Sequence, residues 1–413
     1  MSDAGSWRPL RHASFRWLVA GRTVSMFGGA VAPIALAFTV LDLTGSVRDL
    51  GVVVGARSLT SVLVLLVGGV VADRFPRRLV MMVASALAAL TQGLAATTVL
   101  SGHATIPLLV ALAAANGAVS AFAFPASSAL LPQTVPEDIR QQANAINRLG
   151  LNGAMISGAA VGGVVVAAAG PGYGLAFDAA TFAAAMVCFA LVRVTGTRDP
   201  GTSRRRLLTD LREGWFEFTS RTWLWVVVLG FLFLNAVFAG ALLVLGPAVA
   251  DESIGRSAWG FVLAAQTTGA VVGAVIGMRL RVRRLLLTGV LCMTSELFLL
   301  LALALAPQVG VLLVAALLTG LGIEMFGVAW ETTVQAQVPT DKLARVYSYD
   351  ALGSNLAVPV GQVTAGPASL AMGVESTLLL GAGIVGLTIV GMVSNRDVRE
   401  LEQRRLEPAT TGE

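Results

Sequence analysis

Long apolar stretches alternate with short polar segments along almost the whole chain. Each apolar stretch has about the ~20 residues that an α-helix needs to cross the hydrocarbon core of a bilayer. Twelve such stretches predict twelve membrane-spanning helices. The predicted spans cover residues 15–41, 48–72, 79–100, 104–131, 144–169, 175–195, 223–249, 258–280, 285–306, 309–335, 347–372 and 375–395.

The composition agrees with a protein embedded in lipid. The chain has 413 residues, of which 55% are apolar and 13% charged, whereas a soluble domain carries about 25% charged residues. Mean hydropathy is +0.77. The sequence therefore predicts an integral membrane protein whose partner is the lipid bilayer, with little chain left for a soluble domain.

Several function classes have no support in the sequence. The net charge of +5 would suggest a nucleic-acid partner in a soluble protein, but the basic loops of a membrane protein explain it, and we expect no nucleic acid. Cys188 and Cys292 lie in apolar stretches, and no spacing of Cys or His indicates a metal site. Without a phosphate-binding Gly-Lys-Ser/Thr loop, ATP as an energy source has no support, and we expect no cofactor.

Basic residues lie almost entirely on one side of the predicted membrane. If the N-terminus is cytoplasmic, only Arg48 and Arg256 fall in outer loops. This asymmetry predicts cytoplasmic N- and C-termini in a bacterial inner membrane. The inner basic residues are Arg74, Arg77, Arg78, Arg140, Arg204–Arg206, Arg279, Arg281, Arg283, Arg284, Lys342, Arg345 and the tail from Arg396 to Arg405.

The second half of the chain repeats the first at an offset of 203 residues. Val135-Pro136 recurs as Val338-Pro339, and Gly158 and Gly163 recur as Gly361 and Gly366. Two related sets of six spans place a substrate site between the halves, near mid-membrane. The predicted units are a bundle at 1–195, a cytoplasmic linker at 196–222, a second bundle at 223–395 and a tail at 396–413. The linker is either an amphipathic interfacial helix or a solvated connection.

A charged loop follows the second predicted span. It resembles the Gly-x-x-x-Asp-Arg-x-Gly-Arg-Arg signature of major facilitator transporters, with Pro76 where that pattern has Gly. The matching residues are Gly69, Asp73, Arg74, Arg77 and Arg78. The resemblance implies an all-α major facilitator fold, with twelve transmembrane helices as two pseudo-symmetric six-helix bundles, acting as a monomer.

The loop has two interpretations. As a latch, Asp73 would bind a helix N-terminus across the interface between the halves and hold the inner side shut. Arg77 and Arg78 would pair with acids such as Glu137 or Asp138, or with lipid phosphates. The alternative is a topology signal with lipid anchoring.

Further segments resemble the exporter branch that includes the enterobactin and macrolide exporters. Trp330-Glu331-Thr332-Thr333 and Arg345-Val346-Tyr347-Ser348-Tyr349-Asp350 carry this similarity. The fifth span, with Gly158, Gly162 and Gly163, resembles an antiporter signature in which Ala159 replaces Pro. The resemblance favours export over import, by alternating access.

Charged residues inside the spans supply candidates for proton coupling, because an ionisable group in hydrocarbon costs a few kcal/mol. Glu324 lies halfway along span ten and is the leading candidate, since burial favours the neutral carboxyl and allows a proton to load and unload. The alternative is that Glu324 is statically paired with Arg57 or hydrogen-bonded to a neighbour. Arg57, near the middle of span two, and Glu296 are the other candidates, and Glu296 is the weaker.

Four charged residues lie in the inner third of their spans. Arg22 and Arg148 are in the first half of the chain, and Glu331 and Asp350 in the second. They predict a gate whose charges pair when the inner mouth closes, and the alternative is static buried pairs. Asp42 and Asp178 lie near outer ends and are expected to be surface or capping groups.

Polar and aromatic residues in the spans are candidates for the substrate cavity, although any one of them can equally be packing. They are Asn116, Phe122, Asn152, Phe231, Asn235, Gln266 and Asn355. The expected function is proton-coupled antiport that exports amphipathic small molecules such as drugs or siderophores. The alternatives are facilitated uptake of a nutrient, or a non-transporting membrane sensor or enzyme, and we do not expect an enzyme.

Overall fold

A computed structural model describes residues 7–72, 75–193, 215–216, 218–279, 282–339 and 342–402. For residues 65–72, 124–125, 128–129 and 344–345 it describes the backbone alone. The described chain is helical and contains no strand. Because a helix satisfies its own backbone hydrogen bonds, it is one of only two architectures that can cross hydrocarbon.

The first six spans are uninterrupted helices. They run over Ala13–Thr44, Val47–Ala72, Arg77–Leu100, Ile106–Leu130, Arg140–Ala169 and Pro171–Leu191, numbered spans 1 to 6. Gly45 closes span 1 in the left-handed conformation, at φ 63°, which glycine adopts without steric cost.

Three of the second six spans are irregular. Span 7 joins Thr222–Gly240 and Gly246–Glu252 through a π-helical turn at Ala241–Leu245, and span 9 consists of Leu285–Cys292 and Ser295–Leu305. Span 11 consists of Leu343–Asn355 and Val358–Met372, with Pro359 next to the break. The regular spans are 8 at Arg256–Arg279, 10 at Val309–Gln337 and 12 at Val374–Ser394.

The twelve predicted membrane helices are confirmed, with ends that differ by several residues. Ten helical stretches among the described residues are long and apolar enough to cross a bilayer. Span 2, which carries Arg48, Asp49 and Arg57, and the broken span 11 complete the set. Consecutive spans alternate in direction, so both chain ends lie at one membrane face, here called the terminal face. The opposite side is called the far face.

The internal repeat is visible in how the helices of each half cross. Gly117 of span 4 lies against the carbonyl of Arg57 in span 2, and Gly320 of span 10 lies against the carbonyl of Gln266 in span 8. Positions 117 and 320 differ by 203 residues and positions 57 and 266 by 209. A side chain would not fit at either glycine. The offset predicted from the sequence therefore relates the two glycines, while the residues that they contact are displaced by six further positions.

The two halves meet closely near the far face, again in repeated pairs. A methyl group added at Gly260 of span 8 would lie 2.6 Å from the carbonyl oxygen of Ala159 in span 5. One added at Gly51 of span 2 would lie 2.5 Å from that of Gln362 in span 11. One turn further along, Gly163 lies against Gly260 and Gly366 against Arg48. These far-face crossings bring backbone against backbone, as small residues do in membrane helices.

The terminal side of the cleft between the halves is open. Gly153 of span 5 and Gly327 of span 10 have no atom within 4 Å of an added methyl group, and Arg148 and Glu331 are exposed. Most of the predicted linker lies outside the described residues. Its described end packs Trp215 against Tyr349, with ring centroids 5.6 Å apart.

Enlarging a glycine at a far-face crossing should weaken the closed arrangement. In Gly163→Ala the new methyl group would lie 2.8 Å from the Cα of Gly260, and such overpacking costs about 1–3 kcal/mol. We expect a lower thermal midpoint of the detergent-solubilised protein and slower transport. Gly153→Ala, in open space on the same span, is the matched control and should leave both unchanged. Equal behaviour of the two variants would contradict the importance of the crossing.

Candidate functional site

A cavity of about 260 Å³ lies between the two halves, on the terminal side of the far-face crossings. Span 2 supplies its polar wall, and spans 1, 7 and 11 supply mostly apolar walls. Two residues named from the sequence, Arg57 and Asn355, lie here. The full lining is Pro33, Leu36, Val54, Arg57, Ser58, Ser61, Val62, Leu243, Asn355 and Val358. The mixture of one cation, hydroxyl groups and aliphatic carbon suits an amphipathic molecule.

Span 2 is held firmly where it presents Arg57. The hydroxyl of Thr60 donates to the carbonyl of Ala114 at 2.8 Å, and that of Ser61 donates to the carbonyl of Gly117 at 2.8 Å. These bonds fix span 2 on span 4 next to the Gly117 crossing. The Arg57 guanidinium makes no hydrogen bond or ion pair to any residue that the structure describes, and the acid whose charge acts on it is Asp178 of span 6.

Glu324 faces the first half of the chain across the cleft. It is half-buried, and the charges that act on it are those of Arg148 in span 5 and Glu331 on its own helix. The alternative of a static Glu324–Arg57 pair is therefore not what the structure contains. The two residues lie at different depths, because Arg57 is on the far side of mid-membrane, and the acid that acts on Arg57 is Asp178.

The four residues predicted as a gate are in a separated arrangement. Within the described residues no ion pair joins Arg22 or Arg148 to Glu331 or Asp350. Asp350 accepts hydrogen bonds from Trp330 Nε1 at 2.8 Å and from Ser354 Oγ at 3.1 Å. Asp350 is thus held inside the second half, while Arg148 and Glu331 face the open cleft.

At the far face an ion-pair cluster joins the halves. Arg256, at the start of span 8, donates to Asp42 of span 1 at 2.9 Å and 2.5 Å, and to Asp251 of span 7 at 2.8 Å. Its guanidinium carbon lies 4.8 Å from the centre of the Phe38 ring. Asp42 was expected to be a surface group, and it is partly exposed, but its partner is in the other half. One feature of the sequence could have predicted this pair: Arg256 is one of only two basic residues in the predicted outer loops.

The signature loop is only partly described. Asp73 and Arg74 lie outside the described residues, and for Gly69 only the backbone is described. Arg78 donates to the carbonyls of Phe189 and Ala190 at the end of span 6, where a cation complements the helix dipole. The expected pairing with Glu137 or Asp138 is absent for Arg78, because those acids pair with Arg140 and Arg8. Arg77 is exposed at the start of span 3.

Six of the seven residues proposed for the cavity lie outside its lining. Asn116 is buried inside the first bundle and donates to Thr91 Oγ1 at 3.1 Å, and Asn235 donates to the carbonyl of Ser354 at 2.9 Å. Phe231 stacks on Phe326 at 4.0 Å. Gln266 lies at the Gly320 crossing, and Asn152 and Phe122 are half-buried away from the cavity lining. Asn116, Asn235 and Phe231 are packing groups in this arrangement.

Two acids are fully buried away from the cavity lining. Asp178 is 0% exposed, so its assignment to the surface was wrong. Glu296 is 3% exposed at the break in span 9, and its Oε2 has no hydrogen-bond partner among the described residues. Sequence reasoning could have found Asp178 from its depth, had the start of span 6 been placed at Pro171.

A comparison with known families matches the chain from residue 4 to residue 411 with the transmembrane secretion effector family. The chain belongs to this family of major facilitator transporters. It is a multi-pass membrane transporter of small molecules and not an enzyme.

Curated relatives of this transporter span nearly the same length. It is 25% identical over 411 residues to the multidrug efflux pump Tap of Mycolicibacterium fortuitum, covering 95% of this chain and 97% of the relative. It is 27% identical over 396 residues to the protein of the same name in Mycobacterium tuberculosis, covering 91% of each.

Solved structures share its fold at low sequence identity. The nucleoside transporter NupG superposes with a TM-score of 0.74 and 13% identity, covering 94% of this chain and 99% of NupG. A bacterial homologue of the human lysosomal transporter Spinster, inward-facing and unoccupied, gives 0.71 and 15%, covering 97% and 98%. Both are major facilitator proteins, so the predicted fold class is confirmed.

Breaking the far-face cluster should open the cavity from that side. Asp42→Asn removes the charge that Arg256 binds across the halves, and loss of about 1 kcal/mol corresponds to about fivefold in the closed-state population. We expect a cysteine at Ser58, in a background without Cys188 and Cys292, to react about fivefold faster with a membrane-impermeant maleimide added at the far face. Glu400→Gln, which breaks the exposed Arg396–Glu400 pair at the terminal face, is the control. Unchanged labelling in Asp42→Asn would show that the cluster does not hold the far face shut.

Proposed function

We propose that this transporter exports amphipathic small molecules in exchange for protons by alternating access. The observation that carries the proposal is Glu324, a half-buried carboxyl at mid-membrane that faces Arg148 across the open cleft. The printed names of the Mycolicibacterium and Mycobacterium relatives, multidrug efflux pumps, support the direction of transport.

The positive loops give the orientation. With the terminal face cytoplasmic, the basic residues fall inside, and the chain is a monomer in a bacterial inner membrane with both termini in the cytoplasm. The open cleft then receives substrate from the cytoplasm or the inner leaflet, while the Arg256 cluster and the glycine crossings close the outer side.

Charge compensation links the proton to the change of state. While Glu324 is ionised, its attraction to Arg148 favours closer approach of the two halves on the terminal side; a proton on Glu324 removes that attraction. A ligand that interacts differently with two states shifts their populations. Proton release to the cytoplasm and substrate capture therefore belong to the same state of the cleft. Arg22, Arg148, Glu331 and Asp350 act with Glu324 as the inner gate, and Asp73 with its flanking arginines as the latch.

The cavity wall indicates the substrate class. Five residues offer aliphatic contact: Pro33, Leu36, Val54, Leu243 and Val358. Span 2 contributes Arg57, Ser58 and Ser61 as the polar side, and span 11 adds Asn355. Lipophilic dyes and drugs match this wall, and a catecholate siderophore is the polar extreme of the same class.

Neutralising Glu324 should uncouple transport from the proton gradient. In everted vesicles, Glu324→Gln should lose dye movement driven by a pH gradient by about tenfold or more while retaining exchange of dye at equal pH. Glu375→Gln, at an exposed carboxyl on span 12, is the matched control. A panel of dyes and a catecholate siderophore, with and without the gradient, also tests direction and substrate. Normal gradient-driven efflux in Glu324→Gln would remove this residue from the mechanism.

Exchanging charges across the inner gate tests whether it pairs in the closed state. Arg22→Glu and Glu331→Arg alone each place like charges across the proposed gate and should slow dye efflux strongly, while Arg148 is kept as the partner of Glu324. The double variant restores opposite charges and should recover a substantial part of the rate, because coupled residues are not additive. A double variant no faster than the slower single variant would argue against the gate.

A further inference from the structure

A buried polar cluster runs through the first bundle and is not explained by the gate or by Glu324. Asp178 of span 6 accepts a hydrogen bond from Gln92 Nε2 of span 3 at 2.6 Å. Its second oxygen, Oδ1, has no hydrogen-bond partner among the described residues, because the hydroxyl of Thr181 donates to the backbone carbonyl of Asp178 at 2.7 Å. Span 1 leaves room for this carboxyl only because position 28 is glycine: a methyl group there would lie 2.6 Å from Oδ1.

The cluster continues toward the cavity through spans 3 and 4. Thr91, next to Gln92, accepts a hydrogen bond from Asn116, whose own Oδ1 is buried without a partner among the described residues. Gly117, next to Asn116, lies against the backbone of Arg57. Two acceptor oxygens inside the bundle are therefore unused. The guanidinium of Arg57, which has five N–H donors and lines the cavity, is also unbonded among the described residues.

Arg57 is the charged group that acts electrostatically on Asp178. The spans packed against span 6 are 1, 3 and 5, and their charged side chains lie toward the helix ends: Arg16, Arg22, Asp42, Arg77, Arg78, Arg140 and Arg148. Among the described groups, the one whose charge acts on Asp178 is Arg57, from span 2. An arginine stays protonated, so the charge state of the pair is set by the carboxyl.

The depth of the cluster places it on the far side of Glu324. At about 1.5 Å per residue, Asp178 lies roughly 10 Å and Arg57 roughly 15 Å from the far-face ends of their helices. Glu324 lies roughly 22 Å from its own far-face end. Asp178 and Glu324 therefore lie at different depths in the membrane.

We propose that Asp178 is a second proton-binding residue of this transporter. The charge state of Asp178 then acts on the substrate cavity through Arg57. With Asp178 ionised, the carboxylate compensates Arg57, and the guanidinium can turn toward the unused oxygens of Asp178 and Asn116. A proton taken from water on the far side adds to Asp178 Oδ1 and leaves the Arg57 charge uncompensated beside the substrate. The cavity then repels a cation, and loss of the proton to water restores binding.

The inference rests on the proposed proton-coupled function and adds a substrate class to it. A proton and a cationic amphipathic molecule would compete through Arg57 without sharing a binding group. This has the sign that antiport needs, because proton loading expels the substrate.

Binding of ethidium, a cationic lipophilic dye, tests the proposal on the purified full-length protein. The Glu324→Gln background removes the other coupling acid. In this background we expect ethidium affinity to fall about tenfold from mildly alkaline to mildly acidic pH. Adding Asp178→Asn should make affinity weak and independent of pH, since Arg57 is then always uncompensated. Adding Arg57→Gln should make affinity independent of pH and at least as tight as that of the background protein at alkaline pH. A pH dependence that survives Asp178→Asn would overturn the proposal.

A chemical measurement covers the case in which Asp178→Asn does not fold. A hydrophobic carbodiimide modifies protonated carboxyls in apolar surroundings, and peptide mass spectrometry identifies the modified residue. We expect labelling of Asp178 to persist to higher pH in Arg57→Gln than in the wild-type protein; identical profiles would overturn the linkage. Wild-type dye efflux that is independent of a pH gradient would instead overturn the antiport function. The labelling profile would still decide whether Asp178 and Arg57 are linked.

Discussion

The close approach of backbones at the far face is the constraint on which the rest of the structure depends. Gly260 lies against Ala159, and Gly51 against Gln362, so spans 5 and 8 and spans 2 and 11 touch without intervening side chains. Small residues confine this approach to one side of the membrane, and the halves diverge from there toward the terminal face. The position of the cavity, its lining and the separation of Arg148 from Glu331 all follow from that divergence.

Charged groups are arranged in layers along the membrane normal. The outermost layer, Arg256 with Asp42 and Asp251, is paired across the halves and lies partly in water, where ion pairs are inexpensive. The layer around Glu324 and Arg148 faces the open cleft. Between them lie Asp178, which is 0% exposed, and Arg57, which lines the cavity without a hydrogen bond or ion pair to any described residue. A charge in low dielectric acts over a longer range, so the middle layer is the one best placed to influence the cavity.

The sequence was sufficient for the architecture because the signals were long and redundant. Twelve apolar stretches predicted the spans, and the 203-residue offset of Gly163 and Gly366 predicted equivalent places at the interface. The sequence was insufficient where a prediction depended on the position of a helix end to within a few ångströms. It was also insufficient for pairs of residues that are distant along the chain. Span 6 begins at Pro171, four residues before the predicted start, and this shift of about 6 Å moves Asp178 from the surface into the core. The Asp42–Arg256 pair joins positions more than two hundred residues apart, which no local pattern encodes.

The π-helical turn in span 7 lies between the cavity wall and the ion-pair cluster at the far face. Ala241–Leu245 carries one more residue per turn than the helix on either side, and Leu243 from that turn forms part of the cavity wall. Converting the turn to α-helical register rotates the segment beyond it by about 100° per residue. That segment, Gly246–Glu252, contains Asp251, one of the two carboxylates bound to Arg256. A change of register in this turn would therefore move Leu243 in the cavity wall and Asp251 in the Arg256 cluster together, since both belong to one helix.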